Sequence, residues 1–191
     1  EFTDISYPAV LRAAGYRTGL IGKFGIETGG KLMVEDEELT LKKMFDHFDN
    51  YEHWGLQEGS PLGYFLEQSD GTKKHLTDIT GEKAISFLRD CKPDQPWCLS
   101  IRFNAPHCQD GASWLYQYPE SVSHLYREVI IPEPVNSEPA FYEAQPEFLR
   151  DSENRARWKG RFDTPENFQQ NMKGVYRMVS GIDASIGRIL E

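Results

Sequence analysis

The stretch RTGLIGKFG, residues 17–25, ends an apolar run on a lysine held between glycines. Leu20 and Ile21 read as the middle of a short buried strand. Gly22 permits a tight turn, and Lys23 arrives where the strand should stop. A phosphate-cradling loop would need G-x-x-x-x-G-K-[ST]. Arg17 stands where its first glycine belongs, and Phe24 stands where a Ser or Thr would hold magnesium, so that reading fails. A second reactive side chain, His107, follows another apolar run, WCLSIRF, after the segment NAP. An ammonium and an imidazole brought together suit an oxyanion ester. Lys23 offsets charge on the anion, and His107 donates to a non-bridging or leaving oxygen.

Such a pairing needs a parallel sheet, because parallel strands end at one edge and ligands collect outside their carboxyl ends. If residues 18–23 and 97–103 are strands of one sheet, Lys23 and His107 share a rim. Their polar tips then fall within roughly 12 Å, even with one or two strands between them. The intervening pattern fits. Residues 6–14 read as a short helix with Ser6 as N-cap, Pro8 in the first turn and Gly15 as the stop. Residues 77–90 predict an amphipathic helix capped by Thr77. Thr164, Pro165 and Glu166 open a helix of about 26 residues, or roughly 39 Å. Its apolar residues Phe168, Met172, Val175, Tyr176, Val179, Ile182, Ile186 and Ile189 recur at helical spacing. Residues 27–42 read as a surface loop, and 44–54 and 62–76 as short strands and turns. Ser69, Asp70 and Gly71 make a hairpin-type turn. Residues 110–163 read as irregular chain with short helices. The order of helices and strands, with long connections, predicts an α/β sandwich with a mainly parallel sheet.

Other residues carry weaker chemistry. Asp110, three positions past His107, is placed to meet a substrate hydroxyl, although a loop aspartate capping its own turn is the plainer reading. His75 and Asp78 flank a helix entry and read as caps. His47 and His53 lie among acids without repeated spacing or a third ligand, so no metal site is expected there. Asp183 falls on an otherwise apolar helical face, where a structural bond in the core is expected. Arg155, Arg157, Lys159 and Arg161 form a basic cluster, open both to a solvated face and to contact with an anionic sugar.

The chain has 191 residues, enough for one domain that buries about 70% of its unfolded surface. Net charge is −9, so a general nucleic-acid or anionic-membrane surface is not expected. No stretch reads as a membrane span or a signal peptide. Cys91, Cys98 and Cys108 are odd in number and irregular in spacing, which fits neither a disulfide framework nor a zinc site. The chain opens on Glu1 without an initiator Met and is expected to be a piece of something longer.

The segment LRAAGYRTGLIGKFG resembles the second signature of the type I sulfatases, in the alkaline phosphatase superfamily. HLTDITGEKAISFL, WCLSIRFNAPH and VYRMVSGIDASIGRILE resemble that family's later blocks in the same order. Residues 27–70 and 110–163 match it weakly. The resemblance implies an α/β/α sandwich, hydrolysis of sulfate esters on a carbohydrate or related small molecule, a formylglycine nucleophile and a calcium ion. It implies that Lys23 contacts the sulfate and that His107 contacts it or protonates the leaving oxygen. It also implies a periplasmic or secreted protein.

The family's nucleophile motif, C/S-x-P-x-R, and two metal-binding aspartates are expected upstream of the Gly-Lys block. Its remaining metal ligands are expected beyond Glu191. Residues 1–191 are thus expected to be the central part of one catalytic domain, with no metal ligands of its own. Alone, such a piece is expected to be inactive and to self-associate through surfaces that missing strands would cover. CKPDQ, residues 91–95, mimics the nucleophile motif up to Gln95, but it follows a helix and reads as a helix-to-strand turn. Many relatives carry a His two residues after the lysine. Here that position is Gly25, which puts the arrangement around the nucleophile in question. Two other readings stand beside the sulfatase: a phosphodiesterase, phosphonate hydrolase or phosphoryl transferase of the same superfamily, and a non-catalytic binding domain on the same fold. The upstream nucleophile separates them, Cys or Ser for sulfate, Thr for phosphoryl chemistry, and neither for a binder.

Overall fold

The computed structural model describes residues 3–25, 37–51 and 63–191; the expectations for His53 and most of the 27–42 loop lie outside them. Along the chain run α1 (Tyr7–Ala13), β1 (Arg17–Gly22), α2 (Glu37–Met44), β2 (His47–Asp49), β3 (Phe65–Glu67) and β4 (Lys73–His75). There follow α3 (Leu76–Arg89), β5 (Trp97–Arg102), the short helices α4 (Pro139–Glu143) and α5 (Glu147–Arg150), α6 (Glu153–Phe162) and α7 (Pro165–Leu190). One sheet has the order β2-β1-β5, with both pairings parallel. β3 and β4 form a separate antiparallel hairpin whose turn carries Ser69, Asp70 and Gly71.

The alternation of a strand divides the core into two faces. Leu20 packs with Leu41, Met44 and Phe45 around α2 on one face. Its neighbour Ile21 packs with Ala84 and Phe87 of α3, and with Ile189 of α7, on the other. Helices therefore cover both faces of the parallel sheet, which makes a three-layer α/β/α arrangement. A third cluster, built on Tyr64, Leu76, Ala105, Cys108, Tyr116 and Met178, joins the hairpin, the loop after β5 and α7. Among the described residues no helix is long and apolar enough to cross a membrane.

Three local expectations need correction. The end of the stretch read as a 27–42 loop is helical, because Leu41 and Met44 bury against Leu20 and outweigh the glycine- and acid-rich composition before them. α3 begins at Leu76 and not after Thr77, since the side chain of His75 accepts the Thr77 backbone N–H at 3.1 Å and acts as N-cap. Asp183 is exposed, not a core group. The buried stripe of α7 runs through Asn171, Gly174, Met178, Gly181 and Ser185, two residues off its register. Small residues hold that stripe because neighbours come close. A Cβ on Gly174 would lie 2.7 Å from Tyr116 Cβ, and one on Gly181 would lie 2.8 Å from Pro119 Cγ. The larger apolar residues flank the stripe, and Tyr176, Val179 and Ile186 remain exposed.

Candidate active site

β1 and β5 are direct neighbours, registered from Arg17↔Trp97 to Gly22↔Arg102, so both chains leave the sheet at the same edge. Gly22 makes that registration possible. Its φ is +99°, and a Cβ there would stand 1.9 Å from the Arg102 carbonyl oxygen. One residue on, the Lys23 N–H still donates to Arg102 O at 3.2 Å. Phe24 is buried, its N–H donates to Asn50 Oδ1 at 2.9 Å, and its carbonyl accepts from the Arg102 guanidinium. Lys23 is thus half-buried on a turn held from the sheet, from β5 and from the residue after β2. Gly25, at φ +66°, lies under the lysine stem: a Cβ there would meet Lys23 Cε at 3.4 Å and Cγ at 3.6 Å. A histidine at this position would need a left-handed backbone that L-residues avoid.

The other strand reaches His107 through an anchored loop. Asn104 is buried, and its carbonyl accepts the His107 N–H at 3.1 Å. Ala105 is buried, and the Ala105–Pro106 bond is cis. The His107 carbonyl accepts the Tyr64 hydroxyl at 2.8 Å, and burial holds that phenol in its protonated form by raising its pKa. Beyond it, Cys108 is buried, and its thiol donates to Asp110 Oδ1 at 3.4 Å. The same oxygen accepts from Arg161 of α6. Burial raises the Asp110 carboxyl, but the hydrogen bonds from Arg161 and Cys108 and the Arg161 charge outweigh it, and its pKa is lowered. Burial pushes the Cys108 thiol up despite the nearby Arg161 charge.

Within this braced loop the His107 side chain is exposed. Its Nδ1 lies 2.7 Å from the Cys108 carbonyl, which only a proton on Nδ1 can satisfy. In the neutral ring, Nε2 therefore carries the lone pair.

Of the residues read from the sequence, Lys23 and His107 follow adjacent strand ends on one edge of the sheet. Asp110 belongs to the same loop as His107, with one oxygen committed to Cys108 and Arg161. CKPDQ lies at the opposite, amino-terminal end of β5, where the Cys91 thiol donates to Phe87 O at 3.3 Å. His47 is exposed on β2, 5.8 Å from the Phe87 ring. Among the described residues no three His, Cys, Asp or Glu side chains gather as a metal site. The basic cluster divides: Arg157 pairs with Glu153 at 2.6 Å and Arg161 with Asp110, whereas Arg155 and Lys159 make no ion pair among the described residues. The sequence reading names Arg161 only as part of the basic cluster, and it does not single out Tyr64 or Asn104. Asn104, inside FNAPH, was adjacent to a motif; Arg161 is 51 residues from its partner and only the fold joins them.

Comparison with known proteins is consistent with this geometry. The family model described as Sulfatase matches residues 5–191, which include both strand ends. An N-acetylglucosamine-6-O-sulfatase from Bacteroides thetaiotaomicron is 28% identical over 141 residues, covering 69% of this chain and 21% of that protein. A solved structure of BT4656 in complex with its substrate, D-glucosamine-2-N,6-O-disulfate, superposes with a TM-score of 0.57 at 20% identity. It covers 97% of this chain and 45% of that one, so the chain spans less than half the length of either relative.

Proposed function

The chain belongs to the sulfatase family, and from that premise we propose that it serves the hydrolysis of a sulfate ester on a carbohydrate, with Lys23 and His107 on the sulfate. The parallel register of β1 and β5 supports this reading, because the strands that precede Lys23 and His107 end at one sheet edge inside the region matched by the family. The Lys23 ammonium offsets charge on the non-bridging oxygens, where a fixed cation is worth most as charge develops. The imidazolium of His107, its Nδ1 proton held by the Cys108 carbonyl, donates from Nε2 to the bridging oxygen as the S–O bond breaks. The alcohol leaves neutral, the ring keeps its Nδ1 proton, and the sulfuryl group passes to an attacking nucleophile that the reaction needs besides these two residues. Asp110 steadies the loop through Arg161, and its second oxygen is available to a substrate hydroxyl.

Family likeness points to calcium and to a formylglycine nucleophile. The described residues do not fit a calcium site, since no cluster of three candidate ligands exists among them, and no step here runs through one. The sequence also holds no complete C/S-x-P-x-R motif, CKPDQ ending in Gln95. Assayed by itself with an activated aryl sulfate, the 191-residue chain is expected to show background rates, because an attacking group is still needed. In the longer protein, Lys23→Ala is expected to lower kcat/KM for glucosamine 6-sulfate about 10²–10³-fold. His107→Ala is expected to lower it about 10²–10⁴-fold. Turnover unchanged by both substitutions would overturn the proposal, and preferential turnover of an aryl phosphate would move it to phosphoryl chemistry.

A further inference from the structure

A cleft of about 1050 Å³ opens between residues 131–145, α6 and the start of α7, at the upper limit of the size range of sites for drug-sized ligands. One face of α6 supplies Arg155, Trp158, Lys159 and Phe162 to it. The Arg155 guanidinium lies between two rings, 3.5 Å from the centroid of Tyr142 and 4.2 Å from that of Trp158. Its Nε is buried and has no hydrogen-bond partner among the described residues. The ring faces hold the cation flat without neutralising it. Lys159, one turn further along, is exposed and unpaired among the described residues. The two cations of the basic cluster that face this cleft are thus the two that lack carboxylates.

We propose that this cleft binds a sugar ring bearing a single anionic substituent, a sulfate or a carboxylate, at Arg155 and Lys159. The choice of a saccharide rests on the sulfated-carbohydrate reading above, and the lining argues for it separately. Trp158 and Phe168 offer flat apolar faces for the C–H side of a ring. Glu133, Glu138 and Asp163 also line the cleft. Three carboxylates against two cations repel a polyphosphate or a densely charged chain, yet each accepts hydrogen bonds from neutral hydroxyls. A hydroxyl-rich ring with one negative group satisfies both sets. The cleft is also joined to the His107 loop, since Arg161, next to Phe162 of the wall, is the residue that pairs with Asp110.

The test is a titration of the ¹⁵N-labelled protein followed at the Trp158 indole N–H. The probes are glucose 6-sulfate, glucuronate, glucose and inorganic sulfate. Both anionic sugars are expected to shift the signal saturably, at least about tenfold more tightly than glucose or free sulfate. Lys159→Gln, an exposed change that leaves folding intact, is expected to weaken both anionic sugars several-fold, and Lys159→Arg to restore them. A sulfate-only response would leave the carboxylate out, and a glucuronate-only response the sulfate; either keeps the site. Equal binding of glucose, equal binding of inorganic sulfate, no response at tens of millimolar, or indifference to Lys159→Gln would each overturn it. Lys23→Ala is expected to leave this titration unchanged. A responsive cleft without Lys23-dependent hydrolysis would sink only the sulfatase reading, and the reverse result only this site.

Discussion

His75 offers a stability test whose size can be worked from its surroundings. The ring is 2% exposed and stacks on Tyr64 at 5.2 Å, with Phe65 edge-on at 5.1 Å. Nδ1 accepts the Thr77 N–H, so Nε2 bears the proton and donates to the Gln117 carbonyl at 3.1 Å. A second proton on Nδ1 would face a donor and remove the cap of α3. Burial accordingly lowers the His75 pKa from 6.5 to about 4, although the Gln117 bond and the Asp78 charge favour the cation. The folded pKa is depressed, so the unfolded chain takes up the proton first. The stabilisation is complete above pH 6.5 and is lost as pH falls toward 4. At 1.36 kcal/mol per unit, this group alone accounts for about 2–3 kcal/mol between pH 7.5 and 4.5.

The assay is urea unfolding of the parent protein and of His75→Phe at both pH values. The variant keeps an aromatic stack but cannot titrate. It is expected to be less stable at pH 7.5, where a cap and a hydrogen bond are lost, and to lose about 2–3 kcal/mol less than the parent on acidification. Parallel losses in the two proteins, or an NMR titration of His75 near its ordinary value, would refute the reasoning.

Gly22→Ala places a methyl group against the Arg102 carbonyl at a positive φ and should cost about 3 kcal/mol or more. Gly15→Ala, at φ +91° with open space around it, should cost about 1–2 kcal/mol; equal losses by urea unfolding would deny the close approach. Arg161→Gln breaks a partly exposed pair and should cost under about 1 kcal/mol globally, while amide exchange at residues 107–110 accelerates. Protection unchanged there would remove Arg161 from the support of His107. Trp97, Tyr7 and Val10 are exposed, as are Tyr176, Val179, Ile186 and Leu190 of α7, so the 191-residue chain should bind a hydrophobic dye or self-associate. A monomer without dye binding, by sedimentation and fluorescence, would count against that.

The elements that position the candidate site were largely legible, because they announce themselves locally. Thr164 accepts the Asn167 N–H at 3.2 Å with Pro165 in the first turn, as the cap pattern predicts. β1 and β5 follow their apolar runs, and the hairpin turn follows Asp70, whose carboxylate accepts the Thr72 N–H at 2.9 Å. What stayed hidden depends on distant partners. α2 is helical through its packing on β1. The register of α7 was misread because glycine and serine, carrying no hydrophobic signal, occupy its closest contacts. The brace on His107 unites Tyr64, Asp110 and Arg161, which no spacing connects. Lys23 and His107 are read as a pair because each follows a strand, and the shared edge this needs is the parallel pairing of β1 and β5.

The most direct test of the central claim is an NMR titration with sodium sulfate at constant ionic strength, following the His107 ring nitrogens and the Lys23 ammonium together. One shared anion site predicts saturable shifts of both groups with a single dissociation constant, and loss of the His107 response in Lys23→Ala while the fold is retained. Shifts with two unrelated constants, or a His107 response indifferent to Lys23→Ala, would contradict it.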